Sequence, residues 1–270
     1  MSCHHCSSKV LPLRETDLSL LIRAAREAGE IAKVFFGADP EVWHKPDEAG
    51  PVTEADLAVN TMLEQMLLAA RPDYGWLSEE SADDEIRLDR KNVFVVDPID
   101  GTRAFIEGSR DWSHSLAVVT DGVVTAAAVY LPMRDQMYAA QLGGGATLND
   151  VPICVSITRD LDTSTVLSNK WNFRPEYWAE GKIPTAERHF RSSLAFRLCL
   201  VAEGRFDTML TLRPTWEWDV AAGALIVTEA GGTVRTQDNL PPVFNNPHPQ
   251  LRGFLAGPLS LQDSLQAALA

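Results

Sequence analysis

The chain has 270 residues, 45% hydrophobic and 23% charged, the balance of a globular protein large enough to bury a core without staples. Its net charge of −13 excludes non-specific nucleic-acid binding, which needs a basic surplus to displace counterions, and leaves any anionic substrate dependent on a local cation. Four cysteines make no disulfide framework at this size, and neither a signal-peptide core in residues 1–20 nor a run of 18 apolar residues is present, so a reducing cytoplasm and no membrane are expected.

Residues 1–15 read as a disordered tail, whose Cys3-His4-His5-Cys6 cluster is too short to close a tetrahedral metal site alone. Thr16 or Asp17 caps a helix over residues 17–36, where Leu18, Leu21, Ile22, Ala25, Ala28, Ala32 and Phe35 recur at helical spacing and Gly37 suits the stop. Residues 39–50, polar and with two prolines, read as a loop. A second helix covers residues 54–70, with Leu57, Leu63, Met66, Leu67 and Ala70 inward and Pro72 closing it. Trp76-Leu77-Ser78 is a short apolar approach to Glu79-Glu80, and an acidic loop then leads to an apolar strand at residues 93–96.

From residue 113 to 130 two β-rich runs flank Asp121-Gly122, a hairpin signal. Gly143-Gly144-Gly145 lacks the helix pattern and the Lys-Ser/Thr pair of a phosphate loop, so it reads as a hairpin or sheet bend. Past Asp150 the pattern is strand-helix-strand. One helix lies near residues 192–203 and ends at Gly204; another runs from Trp218-Asp219 to Ala230, where Gly231-Gly232 stops it; a short one covers residues 259–269. The organisation is two halves, residues 16–150 and 151–270, of mixed sheets layered with helices, an α+β or α/β fold.

The most informative stretch is Val95-Val96-Asp97-Pro98-Ile99-Asp100-Gly101-Thr102. Two carboxylates leave an apolar strand three residues apart, and a Gly-Thr pair follows them. Carboxylate and carbonyl oxygens suit Mg²⁺, which shares its shell with water and substrate phosphate. A helix starting at Gly101-Thr102 would aim free N–H groups at an anion. The bland alternative is an Asp-rich turn.

A metal-dependent phosphatase needs several oxygen ligands, an activated water and a grip on phosphate. Asp97, Asp100 and the Ile99 carbonyl offer three ligands, Glu79 and Glu80 end the preceding apolar run, and Asp219 opens an apolar helix, where it is either a ligand or a plain cap. Acids at the ends of three apolar segments converge less easily by accident than any one of them alone.

Glu79-Glu80, Asp97-Pro98-Ile99-Asp100-Gly101-Thr102 with Phe105, and Trp218-Asp219-Val220-Ala221-Ala222-Gly223 together resemble the inositol monophosphatase superfamily. The resemblance extends to Pro51-Val52-Thr53-Glu54-Ala55-Asp56, Leu148-Asn149-Asp150-Val151-Pro152-Ile153 and Glu229-Ala230-Gly231-Gly232, in the family's order and spacing over residues 16–260. It implies a layered αβαβα sandwich of the inositol monophosphatase and fructose bisphosphatase type, a homodimer, hydrolysing a small phosphorylated metabolite with two or three Mg²⁺ ions per site and sensitive to Li⁺.

Carried over by position, Glu79, Asp97, Asp100, Asp219 and the Ile99 carbonyl are implied as metal ligands, with Glu80 at or just behind them. Gly101 and Thr102 are implied to hold phosphate through backbone N–H groups. Thr102 and Asp56 are implied to orient the attacking water, with Glu79 sharing its proton. No covalent phosphoenzyme is needed. His114, in an alternating Ser-His-Ser strand, reads as structural.

The substrate is less legible. Arg213-Pro214-Thr215-Trp216-Glu217-Trp218-Asp219 resembles the 3'(2'),5'-bisphosphate nucleotidase branch, which removes the 3'-phosphate of 3'-phosphoadenosine 5'-phosphate. Inositol-directed members carry an acid seven residues before the last Asp, where this chain has Leu212. Arg197 is a candidate for a second phosphate, Trp216 for stacking on a base, and Glu217 for the substrate loop. Arg103-Ala104-Phe105-Ile106 with Trp112 instead resembles histidinol-phosphatases. A regulatory binding protein on the same fold is the reading from another class.

Overall fold

The structure is a computed structural model and describes residues 15–38, 41–44 and 50–270. The Cys3-His4-His5-Cys6 cluster and both prolines of the 39–50 loop lie outside the described residues. Helix α1 (Asp17–Phe35) starts on the side chain of Thr16, which accepts from the Ser19 amide at 3.1 Å. A short antiparallel pair, β1 (Val42–His44) and β2 (Pro51–Thr53), precedes α2 (Glu54–Ala70). The apolar stripes of α1 and α2 pack on each other and on one face of the first sheet, burying Leu20, Leu21, Leu63 and Leu67.

That sheet has seven strands in simple sequence order: β3 (Gly75–Ser78), β4 (Asn92–Asp100), β5 (Ser113–Thr120), β6 (Val123–Leu131), β7 (Gln136–Gln141), β8 (Ala146–Leu148) and β9 (Val151–Pro152). The five-residue helix α3 (Thr102–Ile106) interrupts it after β4. Only β3 and β4 are parallel; every later neighbour is antiparallel and close in sequence. The β5–β6 turn is Asp121-Gly122, both at positive φ (50° and 83°), as a two-residue hairpin with the right-handed twist requires. Gly143 and Gly145 form the β7–β8 bend, and their amides both donate to the Glu229 carboxylate at 2.8 Å.

The second sheet has order β11-β10-β12-β14-β13, built from β10 (Thr165–Ser168), β11 (Glu187–His189), β12 (Thr208–Trp216), β13 (Thr233–Arg235) and β14 (Gln250–Gly257). Helices α4 (Leu194–Ala202) and α5 (Glu217–Glu229) fill the layer between the sheets. One core joins them, with Leu77, Val95 and Val129 from the first sheet, Leu198 and Ile226 from the helices, and Met209 and Phe254 from the second sheet. Helix α6 (Leu259–Ala268) closes the outer face through Leu261 and Leu265, against Leu210, Leu255 and Trp178. The layers therefore run αβαβα. No helix among the described residues is long and apolar enough to cross a membrane.

Past Asp150 the strand-helix-strand order is present as β11, α4 and β12, but β10 precedes it, separated from β11 by single 3₁₀ turns at Lys170–Phe173, Pro175–Tyr177 and Ala179–Gly181. Segments of three or four residues are too short to show a hydrophobic period. Leu57, expected inward on α2, is exposed. The stretch Arg213-Pro214-Thr215-Trp216 is not a loop but the end of β12, carried past Pro214 by an irregularity in its pairing with β14.

The α4–α5 contact is close because residue 223 has no side chain. A Cβ there would sit 2.4 Å from Leu198 Cδ1 and 2.6 Å from its Cβ. Gly223→Ala should therefore cost about 1–3 kcal/mol of overpacking, exceeding the roughly 1 kcal/mol gained in helix propensity. Urea unfolding checks this; an unchanged or raised midpoint would mean that the layer yields.

Candidate metal and phosphate site

Strand β4 pairs Asp97 with Ser115 and Asp100 with Ser113, so three steps on β4 face two on β5. This is a β-bulge. In a regular strand residues three apart point to opposite faces; one extra residue restores them to the same side. The Pro98 carbonyl, displaced from the ladder, is taken by His114 Nδ1 at 2.5 Å. Burial pulls the His114 ring down to about 4, so it is neutral at pH 7 and donates through Nδ1–H. His114 thus props the bulge and does not face the acids' chemistry.

The bulge delivers Asp97 beside two acids from elsewhere. Glu79 follows β3 directly, and its amide extends the parallel pairing by donating to the Val96 carbonyl at 3.2 Å. Asp219 lies in the first turn of α5, inside the helix and not at its cap. Glu79, Asp97 and Asp219 each bring an oxygen within 4.8 Å of the others. Burial first, and the neighbouring carboxylates second, push Asp97 and Asp219 well above the usual carboxylate range. Asp97 Oδ1 is buried with no hydrogen-bond partner. Three hard oxygen donors, like-charged, desolvated and including an orphaned atom, fit a divalent cation such as Mg²⁺.

Asp100, expected as a ligand alongside them, turns its oxygens to α4. Oδ2 accepts from Ser193 Oγ at 2.5 Å and the Ala195 amide at 2.6 Å, and Oδ1 from the Leu194 amide at 3.2 Å. Burial raises it to about 6 against these donors, and its charge is still felt by Asp97 and Asp219. Glu80 lies at the rim, its amide donating to Ser78 Oγ at 3.3 Å and its charge reaching Asp97.

Thr102 begins α3, and its hydroxyl lies 3.3 Å from Asp56 Oδ1 and 3.2 Å from the Ile99 carbonyl. Asp56 is 1% exposed, and burial raises it to about 6. Its Oδ2 accepts from the Thr53 amide at 2.8 Å and the Thr53 hydroxyl at 2.6 Å. Thr53 was missed as a functional residue, though the Thr-x-x-Asp spacing at a helix start is the signal that finds it. Gly101 has φ 96°, and a Cβ there would lie 3.3 Å from the Asp111 carbonyl and the Ser193 amide. The first-turn amides of α3, Gly101 and Thr102 among them, have no partner within the helix and suit an anion.

The substrate candidates fare differently. Arg197 is neither a solvated helix residue nor aimed at solvent: it is 5% exposed and donates to the Arg191 carbonyl at 2.5 Å. Glu217 is fully buried and accepts from the Asn245 and Asn246 amides at 2.6 and 2.9 Å and from Asn246 Nδ2 at 2.6 Å. Glu217 is therefore spent on the 245–246 backbone, while Arg197, anchored to the Arg191 carbonyl, still has its charge felt by Asp100 and Asp219. Trp216 lines a cavity of about 260 Å³ beside Glu79, with Ser81, Asp83, Trp218 and His248. It stacks on Trp218 at 4.7 Å and 9° between planes. Trp112, by contrast, is core, packed edge-on against Phe105 at 5.0 Å.

Residues 13–267 match the profile of the inositol monophosphatase family. The chain belongs to that family. It is 35% identical over 228 residues to Nus factor SuhB of Escherichia coli strain K12, covering 80% of this chain and 84% of that protein. It is 33% identical over 233 residues to inositol-1-monophosphatase of Rhizobium meliloti, covering 81% and 85%. Among solved structures, an inositol monophosphatase of Thermotoga maritima aligns with TM-score 0.78 and 27% identity over 91% of this chain and 93% of that one. The suhB protein of Bartonella henselae gives 0.78 and 28% over 92% and 95%. The family is one of metal-dependent phosphatases, and the layered fold follows with it.

Raised carboxyl values in the folded state make the acid cluster favour folding in acid, a contribution lost as pH climbs through 6 and beyond. A cation offsets that loss. Mg²⁺ should therefore raise Tm more at about pH 8 than at about pH 5, read by scanning calorimetry. An equal gain at both would argue against binding at these carboxylates. Asp97→Asn should lower kcat/KM more than about a hundredfold while melting no lower than the parent without metal, because one repelling charge is gone.

Proposed function

We propose that this family member hydrolyses a small phosphomonoester with Mg²⁺, and that its substrate carries an aromatic ring, with 3'-phosphoadenosine 5'-phosphate as the candidate. The observation that carries the hydrolase reading is the Glu79, Asp97 and Asp219 trio around the orphaned Asp97 oxygen. Those three would hold Mg²⁺, which supplies charge neutralisation and an acidified water, with the charge of Asp100 close behind.

The chain's own residues carry the rest. The Thr102 hydroxyl and Asp56 form a proton path: Thr102 orients a water on the phosphate side, and Asp56 receives a proton through it. Burial tunes Asp56 to about 6, near the pH at which it must work. The α3 amides at Gly101 and Thr102 hold the phosphate oxygens. With no side chain needed as nucleophile, water attacks phosphorus directly and the alkoxide departs.

Substrate class rests on the mouth of the site. Leu212, where a polyol-reading acid would stand, is buried in the outer core with Leu210 and Leu255, so this position puts no acceptor at the mouth. The cavity beside Glu79 offers Trp216 for an aromatic ring. The charges of Arg213 and Arg197 both favour ionised Asp219, and Arg213, the exposed one of the two, is the partner for a second anionic group. The Rhizobium meliloti relative supports inositol 1-phosphate as a second reading. The name Nus factor on the SuhB relatives keeps a regulatory role open beside catalysis.

Phosphate release with Mg²⁺ from 3'-phosphoadenosine 5'-phosphate, inositol 1-phosphate, histidinol phosphate and fructose 1,6-bisphosphate tests this directly. We expect a kcat/KM preference of about a hundredfold for the nucleotide, some 2.7 kcal/mol, and inhibition by Li⁺. A preference for inositol 1-phosphate would replace the aromatic reading while keeping the mechanism. No turnover of any ester would favour the regulatory protein.

A further inference from the structure

A buried polar clamp lies behind the candidate site. Arg87, 1% exposed, grips the Asp83 carboxylate through Nε at 2.6 Å and Nη2 at 2.9 Å. The same guanidinium donates through Nη1 to Asn245 Oδ1 at 2.6 Å and through Nη2 to the Asn246 carbonyl at 2.9 Å. Asn245, held at φ 63°, and Asn246 then donate to Glu217 as described above. Three segments remote in sequence are thereby tied together: residues 79–89, which end in a 3₁₀ turn at Glu85–Asp89, the 243–249 loop and the first turn of α5.

Those segments carry the site. Glu79 opens the first and Asp219 lies two residues past Glu217 in the third. The same three supply walls of the cavity, through Ser81 and Asp83, Pro247 and His248, and Trp216 and Trp218. A buried carboxylate held by loop and side-chain amides, and a buried guanidinium shared between the Asp83 carboxylate and the 245–246 loop, are costly features that apolar residues could replace if shape alone mattered.

We propose that Arg87 and Glu217 are positioning residues that fix the Glu79–Asp219 separation, and thereby the affinity of this site for Mg²⁺. The inference rests on the metal reading above. Outer groups that orient ligands change metal affinity by about 10–100-fold when altered.

The test is calorimetric titration of Mg²⁺ into the full chain without substrate, so that no turnover is needed. Glu217→Gln keeps size and one acceptor oxygen but sets an NH₂ group against amide donors; Arg87→Lys keeps charge but loses the fork. Both should weaken Mg²⁺ binding at least about tenfold while remaining folded at the titration temperature. Leu265→Ala, in the outer core beneath α6, supplies a comparable loss of stability away from the clamp and should bind Mg²⁺ like the parent. Parental affinity in Glu217→Gln and Arg87→Lys would overturn the proposal, as would an equal loss in Leu265→Ala. If the parent itself binds no Mg²⁺, the metal reading falls first and the clamp proposal with it.

Discussion

The structure is organised around carboxylates that repel one another. Glu79, Asp97 and Asp219 converge within 4.8 Å, with Asp100 close enough to add its charge. Two like charges about 4 Å apart oppose each other by roughly 4 kcal/mol at an effective dielectric of about 20, before desolvation is counted. Nothing local would hold such a cluster together. The cores on both faces of the first sheet, one under α1 and α2 and one shared with α4 and α5, provide the burial that does. That arrangement makes a poor structural motif and a good cation site.

Rigidity at this point comes from polar groups spent on backbone. His114 fills the gap that the bulge opens at the Pro98 carbonyl. Ser193 and the first amides of α4 hold Asp100, and Thr53 holds Asp56. Each is buried, and each pairs an atom that would otherwise be desolvated without a partner. Around the metal candidates the chain therefore fixes directions, while Asp97 Oδ1 is left for something else to satisfy.

The substrate side follows a different logic. Residues that sequence similarity nominated as contacts, Arg197 and Glu217, turn out to hold loops. Trp216, half-buried and stacked on Trp218, lines the cavity beside Glu79, and Arg213 is exposed.

Local chemistry in the sequence determined much of this protein. The stripe from Leu21 to Ala32, the Asp121-Gly122 turn and the glycine stops at Gly204 and Gly231 specify their elements, because period, cap and positive φ are properties of a few neighbouring residues. The acids Glu79, Asp97 and Asp219 were legible as ends of apolar segments. What only the tertiary structure decided is direction and pairing. A β-bulge has no signature in one strand, since it exists only in register with β5. The roles of Arg87, Asn245 and Glu217 depend on segments up to 158 residues apart meeting at one point. Charged residues read the same in sequence whether they face water or a buried carbonyl; only packing chooses.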